Sequence, residues 1–254
     1  MRIETRRLGV SYGGIRALDG VSITAEPGRF TCVIGPNGSG KSTLVKAIAG
    51  IVRSTGELLF DGCAERPLRL GYMPQEIGAR AALTVLETAL LGRLGRLGLR
   101  VGDEDLAAVR AVLRELDIES FAPRYLGELS GGQRQLVFLA QALTSDPSVL
   151  LLDEPISALD IRHQLEVLDT VRRLTRERAL TTIAVLHDLN ATARFADEVI
   201  LLRDGRMLGQ ASPVSLFTPA AVAQAFDVEA LVGLDAAGYP SVTPLRPLRR
   251  EAAS

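Results

Sequence analysis

The sequence contains no tryptophan, and aromatic residues make up only 4% of its 254 positions. Its core must therefore be packed from Leu, Val, Ile and Ala, and the 47% hydrophobic content is ample for that and too high for a disordered chain. Cysteine is equally scarce. Cys32 in an apolar run and Cys63 after an Asp-Gly turn cannot frame a disulfide scaffold, and both read as reduced thiols of a cytosolic protein. Charge of one sign is missing too: 29 basic against 30 acidic residues leave a formal net charge of −1, which argues against binding nucleic acid through overall charge. Long apolar runs are absent. The most leucine-rich stretch, residues 81–99, is broken by Glu87, Arg93 and Arg96, so no membrane span is expected. The charged residues 1–7 are followed by no apolar segment of a secretion signal. The expectation is a soluble protein, and any membrane process it serves needs another chain to cross the bilayer. At roughly 150 residues per domain, the length allows one large domain or two small ones.

Short β-branched runs alternate with helical patterns. Residues 21–25, 30–34, 149–152, 181–186 and 199–202 read as strands, and runs as apolar as 149–152 suit strands buried on both faces of a mostly parallel sheet. Helical patterns follow at 41–51, 161–178 and 189–195, an alternation that argues an α/β layer architecture. Arg203-Asp204-Gly205-Arg206 reads as a tight hairpin turn that adds an antiparallel pair near the end of the sheet. Between residues 77 and 143 the pattern becomes helical only. Thr84 with Glu87 forms a capping-box signature, and Asp103 starts a helix running to Leu116. This middle third reads as a helical subdomain inserted into the α/β core. Gly92, Gly95 and Gly98 within it suggest an irregular, mobile connection or part of a docking surface. Thr218-Pro219 opens a last short helix through Phe226, and the prolines at 240, 244 and 247 suggest a loosely ordered tail.

The chemistry is concentrated in a few motifs. Gly35-Pro36-Asn37-Gly38-Ser39-Gly40-Lys41-Ser42 fits G-x-x-x-x-G-K-[ST] at every specified position, after an apolar strand and at the start of a helix. Glycines let successive backbone N–H groups turn onto a β-phosphate, and the helix N-terminus adds positive partial charge. Lys41 is expected to reach the β- and γ-phosphates, and the Ser42 hydroxyl to ligate Mg²⁺. The run 149–152 ends in Asp153-Glu154. Asp153 is expected to hold Mg²⁺ and Glu154 to polarise the attacking water as general base. Together these motifs imply binding and hydrolysis of a nucleoside triphosphate. A second anion site follows: Leu129-Ser130-Gly131-Gly132-Gln133 opens a helix through Leu143, with Ser130 and Gln133 as a capping box and two glycines baring the first N–H groups. One triphosphate hardly needs two such helix ends, unless the second serves the ATP of another protomer.

At this motif the sequence resembles the ATP-binding-cassette family, whose signature sequence is LSGGQ, and the resemblance runs from Ile3 to about Phe226. It implies a P-loop nucleotide-hydrolase core with a mostly parallel sheet, an antiparallel β region and an inserted α-helical subdomain. Residues 1–76 and 144–227 would form the core, 77–143 the helical subdomain and 228–254 the tail. It also implies further site residues. Tyr12 falls where the family stacks a ring on adenine. Gln75 matches the Q-loop that senses Mg²⁺ and the γ-phosphate. Asp160, in 157–160, matches the D-loop aspartate that crosses a dimer interface, and His187 matches the switch histidine at the γ-phosphate. Asn37, Gly38, Ser39, Thr43, Gly131 and Gly132 join the nucleotide contacts. His163, the other histidine, is expected inside a helix, facing solvent or packing. Leu136, Gln141 and Ile156 depart from the usual residues at positions that carry no chemistry.

The function implied is the ATPase subunit of a membrane importer, a homodimer sandwiching two MgATP on the cytoplasmic face of the membrane. It would work with separate permease subunits, together with a substrate-binding protein and without nucleic acid. Segments 83–93, 157–164, 187–190 and 218–226 are similar to the branch serving ferric siderophores, haem and cobalamin. Importers of zinc, manganese or polar amino acids are the alternatives. A soluble ATPase acting on DNA or ribosomes fits less well, because no long coiled coil separates the motifs and the chain holds a single phosphate loop.

Overall fold

The computed structural model describes residues 1–75, 83–94, 101–157 and 159–248. In chain order the N-terminal part holds β1 (Ile3–Tyr12), β2 (Ile15–Val21), β3 (Thr24–Ala25), β4 (Phe30–Ile34), α1 (Lys41–Ala49), β5 (Thr55–Phe60) and β6 (Leu70–Met73). Three helices come next, α2 (Val85–Leu91), α3 (Asp103–Glu115) and α4 (Gly131–Thr144). Then follow β7 (Val149–Asp153), α5 (Ile161–Glu177), β8 (Thr181–Val185), α6 (Leu189–Phe195), β9 (Glu198–Arg203) and β10 (Arg206–Ala211). The chain continues through α7 (Pro213–Leu216), α8 (Pro219–Phe226), β11 (Val228–Leu234) and β12 (Pro240–Pro247).

The apolar runs form the centre. Every residue of β4, β7 and β8 is buried, as expected of strands covered on both faces. They lie in a six-stranded sheet of order β10-β9-β4-β8-β7-β6, parallel except for β10, which turns back from β9 with Arg206 opposite Arg203. Successive side chains leave opposite faces. Cys32, Leu150, Leu152 and Ala184 join one core cluster with α3, α4 and α5, while Val33, Leu151, Ile183 and Val185 join another with α1. Burial pushes the Cys32 thiol up, so it stays a protonated apolar filler. A second sheet of β2, β1, β3 and β5, antiparallel throughout, covers the α1 face.

Within 83–94 and 101–144 the backbone is helical apart from short turns and one bridge between Thr84 and Tyr125. Thr84 and Glu87 form the expected capping box at α2. Gly92 follows α2 directly and is a packing position: a Cβ there would lie 1.9 Å from the Gln141 carbonyl oxygen of α4. Arg93 then ties three helices, donating to Asp105 at 2.8 Å and to the Thr144 carbonyl at 3.3 Å. Gly95, Gly98 and Ala158 lie outside the described residues. None of the described helices is long and apolar enough to cross a membrane.

Two expectations are corrected. The strand read at 21–25 is two pieces, because β1 pairs with β2 up to Val21 and with β3 only at Thr24 and Ala25. Residues 228–247, read as a loose tail, pair as the antiparallel hairpin β11–β12. Its Ala230 and Val242 are buried in the core cluster with Val222 and Ala225, so tertiary burial outweighs the low strand propensity of three prolines.

One polar knot joins the two sheets beside the phosphate loop. Asp19 of β2 accepts from Arg206 of β10 at 2.7 and 2.9 Å and from Arg16 at 2.6 Å, and its N–H donates to the Gly205 carbonyl at 2.8 Å. The bonds from Arg206 and Arg16 hold its carboxyl below the usual aspartate range. A carboxylate lowered on folding stabilises the fold above its unfolded value and loses that contribution as pH falls through the folded one. Asp19→Asn should therefore be less stable than the parent chain near neutral pH, and the gap should close as pH falls below about 3.9. Urea midpoints measured across that range check it.

Candidate nucleotide site

Phosphate-binding chemistry needs exposed backbone donors, and the turn after β4 provides them. Gly40 precedes α1 with φ of +99°, where a side chain would be strained, and a Cβ there would lie 2.6 Å from the Ala17 carbonyl oxygen. With no side chain at this cap, the first amides of α1 carry no capping bond and keep their partial positive charge for an anion. Lys41, 5% exposed, folds back along the loop and donates to the Gly35 and Pro36 carbonyls at 2.9 Å each. Burial lowers its pKa, and the nearby Glu154 and Asp153 oppose that shift.

Parallel pairing carries β7 to the same end of the sheet. Asp153 ends it with 0% exposure, its Oδ1 accepting from the Ser42 hydroxyl at 2.8 Å. Its Oδ2 is buried with no hydrogen-bond partner among the described residues. Burial pushes its pKa up, against Ser42, Lys46 and Lys41. A carboxylate oxygen lacking a donor, beside a hydroxyl, is the oxygen donor set that a hard divalent cation takes. Glu154 follows in the left-handed region with φ of +57°, a conformation costly for a residue with a Cβ and common at functional turns. Its Oε1 lies 2.6 Å from His187 Nε2, beyond the end of β8. Gln75 follows β6, whose Met73 lies opposite Leu152. Asn37, Gly38, Ser39, Gly40, Lys41, Ser42 and Thr43 line one cavity of about 530 Å³ together with Gln75, Glu154 and His187.

The second anion motif lies elsewhere. Ser130 accepts from the Gln133 N–H at 3.2 Å, and Gln133 Oε1 accepts from the Ser130 N–H at 3.0 Å, closing the capping box at the start of α4. Ser130, Gly131, Gly132 and Gln133 line a separate cavity of about 590 Å³ with Leu159, Asp160 and His163. Asp160 caps α5, its Oδ1 accepting from the His163 N–H at 2.9 Å and lying 2.7 Å from His163 Nδ1. The backbone bond from His163 is the leading cause of its lowered pKa. His163 is in a helix and exposed to solvent, as expected, and it also lines this cavity.

The predicted residues thus fall into two groups on one chain. Tyr12, at the end of β1 and paired with Ile15, lines neither cavity. Two residues to which the sequence motifs assign no role join the site. Ala17 of β2 lines the phosphate-loop cavity, and no local signal marks it, because it arrives through the packing of two sheets. Gln135 is buried on α4 and donates to Ser157 Oγ at 3.0 Å and to the Glu154 carbonyl at 3.4 Å, tying the signature helix to the end of β7. A polar residue in the buried phase of an amphipathic helix was its legible signal.

Burial disfavours the ionised form of Asp153, so the charge opposes folding of the nucleotide-free chain. Asp153→Asn removes the buried charge and keeps an acceptor for Ser42. It should raise the stability of the nucleotide-free chain by about 1 kcal/mol, read as a higher urea midpoint, while ATP turnover is lost.

Residues 18–157 match the ABC transporter family. Among curated relatives, the cobalamin import ATP-binding protein BtuD of Halobacterium salinarum is 37% identical over 263 residues, covering 100% of this chain and 66% of that protein. The hemin import ATP-binding protein HmuV of Myxococcus xanthus is 40% identical over 247 residues, covering 91% of this chain and 92% of its own. The chain therefore spans about two thirds of the length of the first relative and nearly all of the second. A solved inward-facing ABC transporter, described as of metal-chelate type, superposes with a TM-score of 0.85 at 27% identity, covering 96% of each chain. Sequence likeness and fold agree over more than nine tenths of the chain, and it belongs to the ABC transporter family as one of its nucleotide-binding ATPase domains.

Proposed function

We propose that this chain hydrolyses ATP as the motor subunit of an importer, working as a homodimer with two ATP molecules at its interface. The observation that carries the reading is the division of the site. The phosphate loop, Gln75, Glu154 and His187 line one cavity, and the Ser130 helix end and Asp160 line another. Each is half of an anion site, and a two-fold axis supplies the missing half from a second copy.

Within one half the roles follow from the chemistry. The amides of the loop and Lys41 bind the phosphates, with Gly35 to Thr43 wrapping them. Mg²⁺, when bound, would neutralise charge across the β- and γ-oxygens and be held by Ser42 and Asp153 with Gln75 nearby. Glu154 takes the proton of the attacking water. His187, 2.6 Å from Glu154, orients that carboxylate and faces the γ-phosphate. Tyr12 stacks on the adenine. From the second copy, Ser130, Gly131, Gly132 and Gln133 present the helix end to the same γ-phosphate, and Asp160 crosses the interface. Glu154→Gln keeps the shape but loses the base. Turnover should fall by about 10²–10⁴-fold, while MgATP binding persists and holds a dimer visible by size-exclusion chromatography. Near-normal turnover would remove Glu154 from the role of base.

Dimer closure acts on permease subunits that cross the membrane, with this chain peripheral on the cytoplasmic face and a separate substrate-binding protein delivering cargo. The division 1–76 and 144–227 for the core, 77–143 for the helical subdomain and 228–254 for the tail belongs to the same reading, and the helical part meets the permease. The cargo is a ferric siderophore, haem or cobalamin. Relatives named for cobalamin and hemin import support this class, as does the metal-chelate description of the solved transporter. Deleting the gene should abolish uptake of one of labelled ferric siderophore, haem or cobalamin. Undiminished uptake of all three, in cells without another importer for them, would overturn the cargo.

A further inference from the structure

The hairpin β11–β12 plays no part in the nucleotide chemistry described above, yet it touches the segment that presents His187. Immediately after His187, Asp188 caps α6 by accepting from the Asn190 and Ala191 N–H groups at 2.8 and 3.0 Å. This fixes the short turn between His187 and the helix. The Asn190 side chain then leaves α6 toward β12. Its Nδ2 donates to the Val242 carbonyl at 3.2 Å, and its Oδ1 accepts from the Val242 N–H at 2.8 Å. An amide that both donates to and accepts from one residue copies the exchange between paired strands.

The spacing of β12 suits this partner. Backbone groups two residues apart in a strand point to the same edge, and on this edge the neighbours of Val242 at that spacing are Pro240 and Pro244, neither with an N–H. Asn190 thus takes the donor that stands between two prolines. Val242 is itself 3% exposed and belongs to the core cluster, so the clamp is anchored. The hairpin has a second tie: Arg203 of β9 donates to both carboxylate oxygens of Asp227, at 3.0 and 2.8 Å, just before β11. Beside the amide pair lies a cavity of about 300 Å³ between α5, α6 and the hairpin, lined by Leu168, Arg194 and Tyr239 among others. Asn190 lines this cavity beside its bonds to Val242.

We propose that the C-terminal hairpin is a brace for the switch histidine, and that Asn190 is the positioning residue through which it holds the His187 turn in register with Glu154. This rests on the reading of His187 as a γ-phosphate contact. The hairpin thereby becomes a lever: whatever displaces it alters turnover without touching the nucleotide.

The test is a double-mutant cycle on the full chain, with ATP turnover as readout. Asn190→Ala should lower kcat by about 5- to 10-fold, the scale of two lost hydrogen bonds, and leave KM for MgATP within about twofold. In a His187→Ala background the same change should cause no further loss, because the residue acts through the histidine. If Asn190→Ala does not fold, Asn190→Asp replaces it: the shape and the acceptor for the Val242 N–H remain, the donor is gone, and the same non-additivity is expected. Wild-type kcat in the Asn190 variant, or losses that multiply with His187→Ala, would overturn the brace while leaving the histidine's role intact. Wild-type turnover in His187→Ala alone would instead overturn the switch reading, and the brace with it.

Discussion

Asp153 sits at the end of β7 with no exposure to solvent, one carboxylate oxygen on the Ser42 hydroxyl and the other against no donor among the described residues. Taking an ionised carboxylate out of water costs several kcal/mol unless charges and donors replace the water. Much of the architecture serves to keep this group in place. The β7 strand is locked between β6 and β8, with Leu152 opposite Met73 on one side and Ala184 on the other. His187 follows the neighbouring β8, and the phosphate loop follows β4 on the far side of β8. Parallel pairing brings all of these ends to one rim. Burial disfavours this charge, and under the proposed function a divalent cation held there would favour it.

That rim holds only half of what the motifs promise. The Ser130 helix end opens into a different cavity, shared with Asp160 at the start of α5. Gln135 runs between the two, from the signature helix to the Glu154 carbonyl. One buried amide thus links α4 to the backbone that carries Glu154. Arg93 and Gly92 do comparable work further out, where close approach of α2 to α4 and a shared guanidinium hold the helices together.

Stability at the periphery comes from polar ties between elements far apart in sequence. Asp19 with Arg206 joins the two sheets, Arg203 with Asp227 fastens the hairpin, and Asn190 with Val242 closes it against α6. An exposed pair such as Asp19 with Arg206 contributes little energy by itself. The value of these ties is registration: they decide where an edge strand or a terminal hairpin sits relative to a core that apolar packing already holds.

The sequence by itself determined the central strands, the phosphate loop, the Asp153-Glu154 pair and the capped Ser130 helix, because each is written in neighbouring residues. An apolar run buried on both faces, a glycine-rich turn before a helix and a capping box are local physics, and Phe30–Ile34 and Leu189–Phe195 match their expected bounds to the residue. Strands with polar alternation were less legible. The β1 strand carries Arg6 and Arg7, and β12 carries three prolines; both become strands only because another strand offers them hydrogen bonds and a buried face. The tertiary structure alone decided that Ala17 reaches the phosphate loop, that Gln135 reaches Glu154, that His163 shares a cavity with Ser130 and that Asn190 pairs with Val242. In each case the partners are distant in sequence or meet through a third element, and no local pattern encodes a contact that exists only once two independently formed surfaces are packed together.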